Sequence, residues 1–217
     1  MLEMLLAVSI VAVISLLAYL SFSTVIKAWQ NGMALSDELH HGDFVMEQLV
    51  AAMRSSYYPD SAQPVAAYGF SFDDSGLGES SDDSISWVKL GSSLVGRDCP
   101  FAGTPHRVML TMEPNEEGKN AIAVRAWRVF GEQDEFDPKK KKPIFLSDKV
   151  TGFNCRMTEP FPSSGKIEWL DEWKDTNRVP PGVEITLYLQ PLEEGGKAIE
   201  LKRVIGIPIA PLSWKSH

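Results

Sequence analysis

The chain has 217 residues, 44% of them apolar and 23% charged, the texture of a folded globular protein with an appendage. Its net charge of −8 argues against nucleic acid as a partner, because binding phosphates needs a basic face. Setting aside the first 29 residues leaves about 190, ample for a hydrophobic core.

Residues 4–22, MLLAVSIVAVISLLAYLSF, are uncharged and mostly apolar. A helix of that length spans roughly 30 Å, the thickness of a bilayer's hydrocarbon core. Ser9, Ser15 and Ser21 can bond back to their own helix carbonyls and so do not interrupt it. A secretory signal peptide would carry basic residues in front, a shorter apolar run and a small-residue cleavage site behind. Nothing basic precedes this run, and Tyr19, Phe22, Lys27 and Trp29 border it as at a membrane interface. The expectation is a retained single-pass segment over residues 1–29. Glu3 stands at its edge, where a carboxylate is costly unless compensated. Two readings stay open from the residues alone: pairing with an opposite charge on a neighbouring helix, or a side chain reaching back to the interface.

The helical pattern continues past the membrane. No proline occurs between Lys27 and Tyr57, and Leu35, Leu39, Gly42, Met46, Leu49 and Met53 recur at intervals of three and four, an apolar stripe on one face. Asp37, Glu38, Asp43, Glu47 and Arg54 take other positions. One helix from about Leu2 to about Ser56 would be roughly 80 Å long, ending at Tyr57-Tyr58-Pro59-Asp60 because the residue before proline disfavours helical angles. Gly32 and Gly42 are soft points, each weaker than alanine by about 1 kcal/mol. Residues 30–58 are thus expected to form an amphipathic half that packs through Leu35, Leu39, Met46, Leu49 and Met53 onto a domain made of residues 59–217.

That domain begins with an acidic, serine- and glycine-rich stretch, Ser71–Ser84, predicted as a mobile loop. Asp73, Asp74, Asp82 and Asp83 invite a calcium reading, but their spacing does not fit an EF-hand loop. Strands are predicted at Ser84–Leu90, Arg107–Met112, Ala121–Phe130, Ile144–Leu146, Val150–Met157, Val183–Leu189 and Ala198–Ile207. Asn115-Glu116-Glu117-Gly118 and Glu193-Glu194-Gly195-Gly196 read as hairpin connections. The basic tract Lys139–Lys142, between Pro138 and Pro143, reads as a solvated loop. Cys99 and Cys155, the two cysteines, belong to no CxxC pair, which argues against zinc. One long-range disulfide in an oxidising compartment and two unrelated thiols both remain open. The fold class is α+β: a long N-terminal helix packed on an antiparallel sheet domain.

A glutamate after two apolar residues and before MLLAVSIVAVISLLAY resembles the N-terminus of the type IV pilin superfamily, which includes the pseudopilins of type II secretion. The resemblance implies a pilin-like fold, processing by a prepilin peptidase that cleaves a basic leader after a glycine and methylates the new N-terminus, and a glutamate that pairs with the N-terminal amine of a neighbouring subunit. On that reading Glu3 is the pairing residue. The family's glutamate stands at the fifth mature position, whereas Glu3 is third here. The leader, its glycine and the usual first phenylalanine are missing, so the expectation is a start that is trimmed or set downstream, or else an unprocessed protein.

Trp169-Leu-Asp-Glu-Trp173, followed by Val179-Pro180-Pro-Gly-Val183-Glu-Ile-Thr-Leu-Tyr-Leu189, is similar to the J-type minor pseudopilin. Trp169, Trp173, Pro180 and Val183 carry the likeness, with Val179-Pro180 standing where that type has leucine-proline. The J type implies a structural and assembly subunit of a pseudopilus, in a tip complex that initiates filament assembly for protein export. Its partners would be the I- and K-type minor pseudopilins, the H type and the major pseudopilin. It would sit in the inner membrane of a Gram-negative bacterium with its C-terminal domain in the periplasm. A minor pilin of a type IV pilus, serving adhesion, motility or DNA uptake, shares this layout, and a binding domain tethered by one helix is a third reading.

No catalytic constellation is apparent. His40 and His41 are adjacent and point to different sides of a helix, so they cannot make an i, i+4 metal pair. His106 stands beside Pro105, and His217 is terminal. No GxSxG, HExxH or phosphate-binding glycine loop occurs. Glu168, Asp171 and Glu172 flank the tryptophans, but such a cluster is more often a solvated face than a catalytic pair. The tryptophans are better suited to packing over the sheet than to a sugar platform. Neither enzymatic activity, cofactor nor metal is expected.

Overall fold

A computed structural model describes residues 1–61, 65–130, 136–160, 167–191 and 195–215. Helix α1 runs Leu2–Arg54, within two residues of the predicted end. The chain divides into two compact units, residues 1–40 and 41–217. In the first unit the helix is long and apolar enough to cross a membrane, and none of its most apolar stretch is buried. Ser9, Ser21 and Thr24 donate to the carbonyls of Leu5, Leu17 and Leu20 at 2.8, 2.9 and 2.9 Å. Their hydroxyls are thereby satisfied within the helix, as an apolar surrounding requires.

The second unit is built around the last turns of α1. Gly42, Val45, Met46, Leu49, Ala52 and Met53 are buried, the 3.6-residue stripe legible in the sequence. Leu35 and Leu39, earlier on that stripe, are only partly covered. Gly42 is a point of close approach: a Cβ there would overlap the methyls of Leu189 and Leu201. The helix ends where the Ser55 and Ser56 hydroxyls donate to the Ala52 and Met53 carbonyls at 3.0 and 2.6 Å.

Nine strands follow among the described residues: β1 Ser71–Asp73, β2 Ser84–Lys89, β3 His106–Pro114, β4 Asn120–Arg128, β5 Ile144–Ser147, β6 Val150–Thr158, β7 Trp169–Leu170, β8 Gly182–Leu189 and β9 Ile199–Gly206, with a short helix α2 at Ala210–Ser213. The first sheet has the order β1-β2-β3-β4-β5 and the second β7-β6-β8-β9, and their named pairings are antiparallel. The architecture is the expected α+β one, a long apolar helix packed through its later turns on antiparallel sheets. All seven predicted strands appear; β1 and β7 are additional. The core joins helix and both sheets through Leu49, Met53, Trp87, Leu110, Phe153 and Ile185, each almost wholly buried.

The hairpin at Asn115 closes as predicted. The Asn115 carboxamide oxygen accepts from the N–H groups of Glu117 and Lys119 at 2.9 and 3.0 Å, and Gly118 takes a φ of +76° that favours glycine. The second predicted hairpin falls partly on Glu193 and Glu194, outside the described residues. Lys139–Lys142 are exposed, as a solvated segment should be.

The acidic stretch before β2 departs from expectation. Instead of a mobile loop it is a strap between the sheets, with Ser81 and Asp83 buried. Asp83 donates its N–H to the Phe153 carbonyl at 3.1 Å, and the Phe153 N–H donates to the Ser81 carbonyl at 2.9 Å. The Asp83 carboxylate accepts from the Ser75 and Cys155 N–H groups at 3.0 and 2.7 Å. Composition signals a loop, but these bonds reach a strand far along the chain. No group of three or more His, Cys, Asp or Glu side chains that could hold a metal ion occurs among the described residues.

Candidate functional site: an aromatic groove at the end of the second sheet

The tryptophan motif and the residues after it converge where β6 ends, β8 begins and β9 ends. Gly182 opens β8 and lies directly opposite Gly206, the last residue of β9. The Thr158 hydroxyl, at the end of β6, donates to the Gly182 carbonyl at 3.3 Å. With hydrogens for side chains, the two glycines leave a floor over which Ile167, Pro181, Val204, Pro211 and Trp214 wall a cavity of about 470 Å³. Ile167 and Val204 are 66% and 60% exposed.

Helix α2 forms one wall and is tied down by its neighbours. The Ser213 hydroxyl accepts from the Val179 N–H at 3.1 Å and donates to the Ala210 carbonyl at 2.8 Å. The Trp214 indole N–H donates to the Val179 carbonyl at 2.9 Å. The Ile207 N–H reaches the Pro181 carbonyl at 2.9 Å. Proline at 180 and 181 removes two donors and holds the entry to β8 extended.

Beyond Trp214 a second hollow of about 590 Å³ lies against Trp169, Leu170, Asp171, Trp173 and Asp175, and it shares Glu159 and Trp214 with the first. The Trp173 and Trp214 rings meet edge-on at 6.3 Å, Trp173 meets Phe70 at 6.5 Å, and the Arg178 guanidinium lies 4.4 Å above the Trp214 ring. The acids are mostly engaged: Asp171 with Arg156 at 2.8 Å, Glu172 with Lys174 at 3.1 Å and Asp175 with Arg178 at 3.5 Å. Glu159, at the junction of the hollows, has no ion-pair partner among the described residues.

The four motif residues therefore play distinct parts. Trp173 is only 8% exposed and packs in the core, the packing role its sequence context suggests, while Trp169 is partly exposed on β7. Pro180 is buried just before the groove floor, and Val183 is wholly buried beside it. Glu159, Ile167, Gly206 and Trp214 were not singled out in the sequence. Gly206 is placed by the β8–β9 register, which no local pattern states, and Glu159, Ile167 and Trp214 lie outside both strands.

Other candidate groups lie elsewhere. Glu3 is exposed in the first turn of α1, among exposed Met1, Leu2 and Met4. His40 and His41 are exposed, and His217 lies outside the described residues. His106 is wholly buried, its Nδ1 2.8 Å from the Thr104 carbonyl, and burial pushes its pKa down. Lys89, its register partner on β2, is also wholly buried and donates to the Gly91 carbonyl at 2.7 Å. Burial pushes Lys89 down to about 8. Of the two readings for the cysteines, the structure holds separate thiols. Cys99 is partly exposed in the β2–β3 connection, whereas Cys155 is buried in β6, on the other sheet. Burial pushes the Cys155 thiol well up, so it is unreactive as a nucleophile. No model of a known protein family matches the chain, and none of the curated proteins compared with it does.

Proposed function

We propose that this chain is a structural and assembly subunit of a membrane-anchored filament, a minor pseudopilin of the J kind, with its sheet domain on the periplasmic side of the inner membrane. The observation that carries this is the division of one unbroken helix. Its first half presents Leu5, Leu6, Val8, Val11, Leu16 and Leu17 at 58–69% exposure, whereas Met46, Leu49 and Met53 further along are core residues. Apolar surface in water costs about 25 cal/mol per Å², so the first half needs lipid or other apolar helices around it.

Lipid alone would satisfy the leucines and valines but not Glu3. A carboxylate among apolar helices becomes favourable only with a partner charge, and losing either member of such a pair is costly. In a filament the amine of a neighbouring subunit supplies that charge and sets the stagger between helices. The I- and K-type subunits are the partners this reading names, and the role is recognition and assembly.

Two variants test it in a strain that exports proteins by type II secretion. Glu3→Ala is expected to insert and accumulate normally, yet to lose cross-linking to partner subunits and to reduce export at least tenfold. Exchange of residues 1–29 for an unrelated single-span anchor is expected to do the same. Full export with the foreign anchor would make the chain a tethered binding domain instead, and loss of piliation with export intact would assign it to a type IV pilus.

A further inference from the structure

We infer that the groove floored by Gly182 and Gly206 is a docking site for an extended segment of another polypeptide, one carrying a bulky apolar residue beside a lysine or arginine. The inference does not rest on the filament reading, because it concerns a surface of the sheet domain alone.

The glycine at position 206 is the first reason. Its backbone is not in the left-handed region, and a Cβ there would meet nothing within 4 Å. Neither conformation nor crowding inside the chain demands glycine. Within a strand, glycine weakens the sheet and often marks a place where another backbone or a ligand comes close. Here it keeps open an apolar hollow of about 470 Å³, a volume in the range of binding clefts. Ile167 and Val204 stand at its rim with most of their surface uncovered, a contiguous apolar patch of the kind that marks interaction sites.

The edge of the sheet is the second reason. Strand β9 is the last in the order β7-β6-β8-β9, so its outer row of backbone donors and acceptors has no strand partner among the described residues. An extended segment laid along β9 gains main-chain hydrogen bonds. A side chain it turns over Gly206 enters the hollow between Val204 and Trp214.

Charge decides among occupants. Glu159 sits where the apolar hollow meets the tryptophan side, with Asp171, Glu172 and Asp175 beyond it. Each of those three acids has one cation from this chain, and Glu159 has none among the described residues. An anionic lipid headgroup would be repelled at this rim. So would a second copy of a chain whose net charge is −8, since it would bring like charges together. A cationic residue next to the apolar anchor meets Glu159 and the ring of Trp169.

The test uses the full chain in detergent micelles and two fluorescein-labelled octapeptides, one alternating leucine with arginine and one alternating leucine with glutamate. The arginine peptide is expected to bind saturably, and at least tenfold more weakly to Gly206→Leu, whose side chain fills the hollow. Glu159→Arg is expected to weaken the arginine peptide and admit the glutamate peptide. If Gly206→Leu does not keep the parent's urea midpoint, Val204→Lys at the exposed rim serves in its place. Equal binding of both peptides, undiminished binding by the groove variants, or no saturation overturns the proposal. Competition by phosphatidylglycerol vesicles, or a dimer in sedimentation that Gly206→Leu abolishes, overturns it in favour of lipid or of a second copy. Because no filament is present, failure here leaves the Glu3 experiment to stand or fall separately.

Discussion

Arg107→Met is expected to lower the free energy of unfolding by about 4 kcal/mol, the scale for removing a buried charged group from partners arranged around it. Arg107 lies on β3, and its guanidinium donates to the Ser86 hydroxyl at 2.7 Å, the Ala67 carbonyl at 3.1 Å, the Gly69 carbonyl at 2.9 Å and the Ser71 hydroxyl at 3.1 Å. Burial pushes its pKa down, but a guanidinium stays charged. The bonds to its neutral acceptors are therefore charge-assisted and stronger than ordinary ones. They hold residues 67–71 against β2 and β3. Gly69 in turn touches the backbone of Thr176 and Asn177 so closely that any Cβ would overlap it, and the Phe70 N–H donates to the Arg178 carbonyl at 2.9 Å. Loosening Arg107 thus loosens the segment carrying Trp173. Arg107→Lys keeps the charge but loses the fork, and about half the loss is expected. Urea unfolding of the detergent-solubilised chain, followed by tryptophan fluorescence, gives both values; a Met variant within 1 kcal/mol of the parent would refute this account.

Stability is expected to pass through a minimum between about pH 6 and pH 8, instead of the maximum usual there. Two buried groups cause it, opposed on the acid side by His106, whose lowered pKa removes stability as pH falls. Burial raises the Asp83 carboxyl from 3.8 to about 6, with the neighbouring Asp74 carboxyl adding to the rise and the Ser75 and Cys155 N–H groups opposing it. The folded state therefore holds the Asp83 proton more tightly than the unfolded chain does. Its contribution is complete below pH 3.8 and is lost as pH climbs through 6. Lys89 behaves in the opposite sense, because burial lowers it from 10.5 to about 8. Its contribution is complete above pH 10.5 and is lost as pH falls through 8. Each limb amounts to at most about 3 kcal/mol. Lys89→Met is expected to raise stability at pH 7 by about 2 kcal/mol and to flatten the alkaline limb. Asp83→Asn is expected to flatten the acid limb whatever its effect on the absolute level. The two residues stand at opposite ends of β2, so their effects should add. Urea midpoints from pH 4 to pH 10 for parent, single and double variants would show it, and a parent maximum at pH 7 would rule it out.

Much of the fold is legible in local pattern. The stripe through Met46, Leu49 and Met53 appears as core because a helix repeats every 3.6 residues, and strands such as VEITLYL announce themselves by β-branched and aromatic content. The misreading of Ser71–Ser84 has the same origin as its success elsewhere. Serine, glycine and aspartate favour turns, and Asp83 is buried only because Phe153 and Cys155 bring backbone partners from a distant strand. The groove is less visible still. Trp169 and Trp173 stand out in the sequence, but the floor depends on Gly182 meeting Gly206 across a register fixed by the pairing of β8 with β9. Trp214 becomes a wall only once α2 is bonded back to Val179.

The passage of α1 from exposed to buried surroundings also sorts the chain's thioethers. Met4 and Met33 are 78% and 61% exposed, whereas Met46 and Met53 are at 1% and 0%. Peroxide converts accessible methionine to its sulfoxide. In a bilayer, Met33 then reacts before Met4, which acyl chains shield, and Met46 and Met53 react only as the sheet domain opens. A brief oxidant pulse, read by mass, would therefore report membrane insertion and folding from a single helix at once.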